Sequence, residues 1–98
     1  MFDSKALTPG VLTPTAITST NILAGWVTIS SKNDNAAAAR ILGPSQSASI
    51  QTAGGYTLMP GGSLTLPTSG NATSYNLNSI YIQAGDIADV FDICWGGI

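Results

Sequence analysis

Three carboxylates and one thiol near the end of the chain are the residues with the most chemistry in them. Asp86, Asp89 and Asp92 recur at intervals of three, and Cys94 follows two positions later. Carboxylate clusters bind hard cations such as calcium. Residues three apart in a strand point to opposite faces, however, so only Asp86 and Asp92 could share one. Solvated or turn-capping roles are favoured over a cation site, and no metal ligand is assigned. Asn33-Asp34-Asn35 opens like a calcium loop but lacks the glycine and distal glutamate such a loop needs, so it reads as a turn. Cys94, beside Trp95, reads as a packed apolar thiol, with an intersubunit contact as the alternative. As the single cysteine it excludes an internal disulfide, which fits synthesis in a reducing cytoplasm.

The chain has neither histidine nor glutamate. That removes the commonest general base together with the Ser–His and Cys–His nucleophile pairs, so no catalytic residue is assigned and an enzyme ranks last. Gly54-Gly55 and Gly61-Gly62 have neither the spacing of a phosphate-binding loop nor a convincing helix after them, and no cofactor is expected. The only cations are Lys5, Lys32 and Arg40, with a net charge of −2, which argues against a nucleic-acid partner. No apolar run approaches the ~18–20 residues of a membrane helix. The N-terminus shows no basic region followed by a hydrophobic one, so no secretory signal is expected, and the Asn71-Ala72-Thr73 sequon reads as accidental.

Charged residues make up 8% of the chain, far below the usual quarter, while 44% are hydrophobic. A solitary domain keeps a more charged surface, so the expectation is a surface that faces other protein, with self-association ahead of a lone monomer. Trp26, Tyr56, Tyr75, Tyr81 and Trp95 could offer flat faces to a sugar. Packing in a core, on a sheet face or between subunits is favoured for them, because aromatics also dominate interface energetics.

The elements that position these residues are short strands. Residues 1–15, rich in Thr, Pro and Gly, read as an extended N-terminal arm that orders only against something else, and residues 16–98 as one β-domain. Ala16–Thr20 is a candidate first strand with Ile17 inward. In Trp26–Ser31, Val27 and Ile29 share one face and Trp26, Thr28 and Ser30 the other. Residues 36–42 contain a run of alanines that could form a helix, but Gly43-Pro44 stops it after about two turns, and a strand over 40–43 is favoured. A further strand is expected around Ile50.

Pro60-Gly61-Gly62 announces a turn: proline pre-sets φ at the first corner and glycine accepts positive φ at the next. Ser63-Leu64-Thr65-Leu66 then places both leucines on one side, and Pro67 ends the pairing. Between Leu77 and Ala84 the alternation puts Ile80, Ile82 and Ala84 on one side and Ser79, Tyr81 and Gln83 on the other. Gly85-Asp86 turns the chain into a last strand over 88–95. Six to eight such strands imply a small antiparallel β-sandwich or jelly-roll-like barrel. Its expected inner set is Val27, Ile29, Ile41, Leu58, Leu64, Leu66, Ile80, Ile82, Phe91 and Ile93.

Taken in order, WVTISSKND, ARILG, GGYTLMPGGSLTLP, NLNSIYIQAG and ADVFDICW resemble a family of small β-sandwich proteins of tailed-phage virions. The resemblance spans 25–95. It rests on Gly55, Leu58, Pro60, Gly61, Leu64 and Leu66 in a G-x-x-L-x-P-G-x-x-L-x-L segment, and on Leu77, Ile80, Tyr81 and Ile82 in an L-x-x-I-Y-V type strand. The alanine run at 36–39 departs from that pattern, and the arm lies outside it. The resemblance implies a structural protein on the virion surface, made in the host bacterial cytoplasm. Foremost is a capsid decoration (cement) protein that binds the major capsid protein, as a homotrimer at a local threefold. A tail or head-fibre component is the alternative, and a carbohydrate-binding module using Trp26 or Trp95 is the reading from another class. The candidate partner contacts are Phe2, Leu7, Val11 and Leu12 in the arm, with Trp26 and Trp95.

Overall fold

The computed structural model describes residues 2–43, 55–66 and 75–96. Ten strands run through them: β1 (Phe2–Leu7), β2 (Thr15–Ala16), β3 (Leu23–Ala24), β4 (Trp26–Ser31) and β5 (Ala39–Leu42), then β6 (Tyr56–Leu58), β7 (Ser63–Leu66), β8 (Tyr75–Asn76), β9 (Tyr81–Gln83) and β10 (Phe91–Gly96). Among the described residues there is no α-helix. The alanine run leads into β5, because Ala39 and Ile41 are needed as inward residues of a strand, and a short isolated helix has little to hold it. The expected strand around Ile50, the sequon at Asn71 and the stop at Pro67 lie outside the described residues.

Every pairing is antiparallel and nested: β1 with β10, β2 with β9, β3 with β8, β4 with β7 and β5 with β6. Two further pairings, β10 with β4 and β5 with β9, collect the strands into sheets of order β1-β10-β4-β7 and β2-β9-β5-β6, with β3-β8 as a separate ribbon. First pairs with last and so on inward, as in a long ribbon folded over on itself. That is the jelly-roll arrangement of a two-sheet β-sandwich.

The two sheets bury what the alternation aimed inward. Val27, Ile29, Ile82, Phe91 and Ile93 are fully buried, and Ile41, Leu58 and Ile80 nearly so, joined by Ile17, Ala24, Ala39, Leu77 and Ala84. Each large aliphatic or aromatic side chain removed from water in this way contributes about 1.5–3 kcal/mol. Leu64 and Leu66 point the same way but stay half-buried against this core, because β7 is an edge strand with no neighbour on its outer side among the described residues.

One expectation is corrected. The segment read as an arm is not free: β1 pairs along its whole length with β10, from Phe2 opposite Gly96 to Leu7 opposite Phe91. What orders it is the last strand of the same chain, which leaves an edge that a six-residue alternating stretch can fill. Only the connection that follows, residues 8–14, stays outside the sheets. The two Gly-containing turns join strands of different sheets. Met59-Pro60-Gly61-Gly62 is a tight turn closed by the Gly62 N–H donating to the Met59 carbonyl (2.8 Å), with Gly61 at φ +82°. It carries the chain from β6 in one sheet to β7 in the other, held to β4 by Gly61 N–H donating to Ser31 O and Ser31 N–H donating to Gly62 O. The Gly85-Asp86 turn likewise joins β9 to β10 across the sandwich.

Candidate functional site

The sheet β1-β10-β4-β7 has an outer face whose residues follow from its register. Opposed residues of an antiparallel pair share a face. One row across the strands is therefore Phe2, Gly96 and Trp26; the next is Ser4, Cys94, Thr28 and Thr65; the next is Ala6, Asp92, Ser30 and Ser63. Small side chains dominate, so the face is flat. Thr28 and Thr65 are joined through their hydroxyls at 3.1 Å. Its one formal charge, Asp92, lies 3.7 Å from Lys32 in an exposed ion pair. Phe2 is 67% exposed and Trp26 half-buried, on either side of a glycine that has no side chain to fill the gap. With neighbouring strands about 4.8 Å apart, the two aromatic positions lie roughly 10 Å from each other.

The six residues expected to make contacts are thus separated. Phe2 and Trp26 share the outer face. Trp95 sits opposite Val27 on the inner side and packs against the core, as does Leu7, and both are half-buried. Trp26 and Trp95 consequently cannot form one platform, for adjacent rows of a strand alternate between faces. Val11 and Leu12 are 47% and 46% exposed in the connection between β1 and β2. Cys94, half-buried, lies in the outer-face row between Ser4 and Thr28 and not in the core, which departs from the packed-thiol expectation.

The carboxylates are separated as well, and among the described residues no group of three potential ligands converges. Asp92 is on the outer face. Asp86 caps its own turn, accepting from the Ala88 N–H at 2.9 Å. Asp89 is buried, and its Oδ1 accepts from the Ala36 N–H at 2.8 Å, while Oδ2 has no hydrogen-bond partner among the described residues. Beside it Asn35 donates from Nδ2 to Val90 O and Ser31 Oγ (both 2.8 Å) and accepts from Val90 N–H at Oδ1 (2.9 Å). Asp89 and Asn35 therefore tie the β4–β5 connection to the β9–β10 connection. The same two connections touch at Gly85, where a Cβ would come within 2.5 Å of the Ala38 carbonyl. The alanine run that departs from the phage pattern is thus held by backbone contacts, which side-chain alternation does not reveal.

At the opposite flank, where β6 and β7 are the edges of the two sheets, a cleft of about 400 Å³ lies between them. Ile41, Tyr56, Leu64, Leu66, Tyr75 and Ile80 give it apolar walls, with Asn76 and Ser79 at its polar end. Among the described residues its walls carry no charged side chain. No local pattern marks this cleft, since its walls come from strands far apart in the chain.

Comparison with family models, with curated proteins and with solved structures finds no match to this chain.

Proposed function

We propose that this chain is a non-enzymatic structural protein of a tailed-phage virion, a decoration protein that binds the outer surface of the assembled head and associates with copies of itself. The observation that supports this reading best is the outer face of β1-β10-β4-β7: flat, almost uncharged, and carrying Phe2 and Trp26 in one row. Interface centres are depleted in charge and enriched in aromatics, and a pair of aromatics on a flat neutral sheet suits contact with another protein. The nested jelly-roll order is compatible with the reading without requiring it, as folds of this kind serve several functions. Stabilisation would follow from linkage: a protein that binds only the assembled lattice makes disassembly costlier.

The test is a point substitution, since a truncation of the N-terminal residues would delete the edge strand β1. Phe2→Ser leaves the fold intact, because the side chain is exposed, and lowers co-sedimentation with purified phage heads about tenfold or more. Undiminished binding by Phe2→Ser together with Trp26→Ala would overturn the assignment of this face. The same aromatic row is also what a carbohydrate-binding module would use. Glycan binding that disappears in Trp26→Ala, with no affinity for heads, would promote that alternative.

A further inference from the structure

We infer that two copies of this chain pair through β1, antiparallel about a twofold axis at Ser4, so that their β1-β10-β4-β7 sheets run on as one. The inference rests on the self-association part of the proposed function, which it deepens by naming the contact. It is independent of what shell, if any, the protein binds.

The backbone leaves one set of β1 groups unused. In an antiparallel ladder the N–H and C=O groups of alternate residues point to opposite neighbours. Lys32 N–H donates to Val90 O, a pair that continues the β4–β10 register, so the even-numbered residues of β10 bond β4. Its odd-numbered residues Phe91, Ile93 and Trp95 therefore bond β1, through Leu7, Lys5 and Asp3. Phe2, Ser4 and Ala6 direct their backbone groups away from β10, where no further strand lies among the described residues. All three are exposed. Ser4 N–H donates to Asp3 Oδ1 of its own strand at 2.8 Å, a local substitute for a ladder bond.

The side chains choose the strand that completes this edge. Among the described strands only β1 carries both an acid and a base, Asp3 and Lys5, and they share a face. A second β1 laid antiparallel, Ser4 against Ser4, sets Asp3 of each copy opposite Lys5 of the other. Ser4 then exchanges both backbone bonds with its counterpart, and Phe2 faces the small side chain of Ala6. Lys5 already donates to the Ile17 carbonyl at 2.9 Å; its ammonium has three protons, so it keeps that bond and still meets the carboxylate. An axis at residue 3 sets Asp3 against Asp3, and one at residue 5 sets Lys5 against Lys5. Like charges directly opposite are destabilising, so the register is chosen by sign. An inward lysine turns away a strand that has no acid to offer it, and the second copy has one. Exposed ion pairs add little energy, so here they fix register and partner, and the short strip makes a weak contact. A twofold pair closes after two copies, so a threefold assembly would need another surface.

The experiment uses the full chain at up to about 1 mM, where weak association is read by sedimentation equilibrium. The parent should dimerise. Asp3→Lys and Lys5→Asp each set like charges opposite one another twice, and should weaken the dimer roughly tenfold to a hundredfold. Mixed one to one, the same two variants should form a heterodimer of parent-like affinity, because every facing pair is then opposite in sign. Ser4→Pro removes the N–H at the axis and no bond to β10; proline is accepted on an edge strand, so this variant should fold and stay monomeric. A parent that remains monomeric, charge variants that dimerise undiminished, a mixture that does not assemble, or a dimeric Ser4→Pro would each overturn the inference. Head binding is scored separately with Trp26→Ala, two strands in from this edge, so the contact between copies and attachment to a head can fail independently.

Discussion

β1 and β7 are the two edges of one sheet, and they treat their exposed sides in opposite ways. On β1 the inward positions are Asp3, Lys5 and Leu7; on β7 they are Leu64 and Leu66. Lys5 turns its ammonium under the sheet to the Ile17 carbonyl, so any strand added beyond β1 would have to accommodate a charge aimed at the core side. Inward charges of this kind blunt sheet edges against further pairing. β7 has no such guard, and its leucines wall a cleft. An edge guarded by charge and an edge lined with leucines give the sandwich a direction, although its two sheets have the same number of strands.

That contrast can be broken most drastically at the centre both edges depend on. Ile82→Asp puts an unpaired carboxylate where the side chain is fully buried, and should cost more than about 4 kcal/mol, enough to abolish a cooperative melt. A soluble variant that still melts cooperatively would show that the two flanks do not share this core. A swap of the edges sharpens the point on a smaller scale. Leu64→Lys should lower stability by about 2 kcal/mol in urea titration, partly relieved because a half-buried lysine can extend to solvent. Lys5→Leu, at the matching inward position of β1, should cost about 1 kcal/mol from the lost bond to Ile17 O. Equal effects at the two positions would erase the distinction between the edges. Smallest of all, Lys32→Ala removes the exposed partner of Asp92 on the outer face and should shift stability by less than about 0.5 kcal/mol.

Much of the fold was legible in the residues themselves. The faces of β4 and β9 follow the alternation in Trp26–Ser31 and Ile80–Ala84, and the Pro60-Gly61 corner has the φ its residue types demand. The candidate site was less legible. Phe2 and Trp26 were singled out individually, but nothing local says that they stand in one row across three strands. Leu7 and Trp95 lie half-buried against the core, and for Leu7 that placement follows only from the pairing of β1 with β10.

Composition and period-two alternation, both local properties, settle by themselves that this protein is a stack of short strands with Val27, Ile29, Ile82, Phe91 and Ile93 turned inward. They settle the sparse charge of its surface too. Which strand lies beside which was decided only in three dimensions. The pairing of β1 with β10 sets residues 2–7 beside residues 91–96, a contact between segments far apart in the sequence that no signal within residues 2–7 announces. An edge, a cleft and a shared row of aromatics are relations between strands, so they exist only once that pairing has been made.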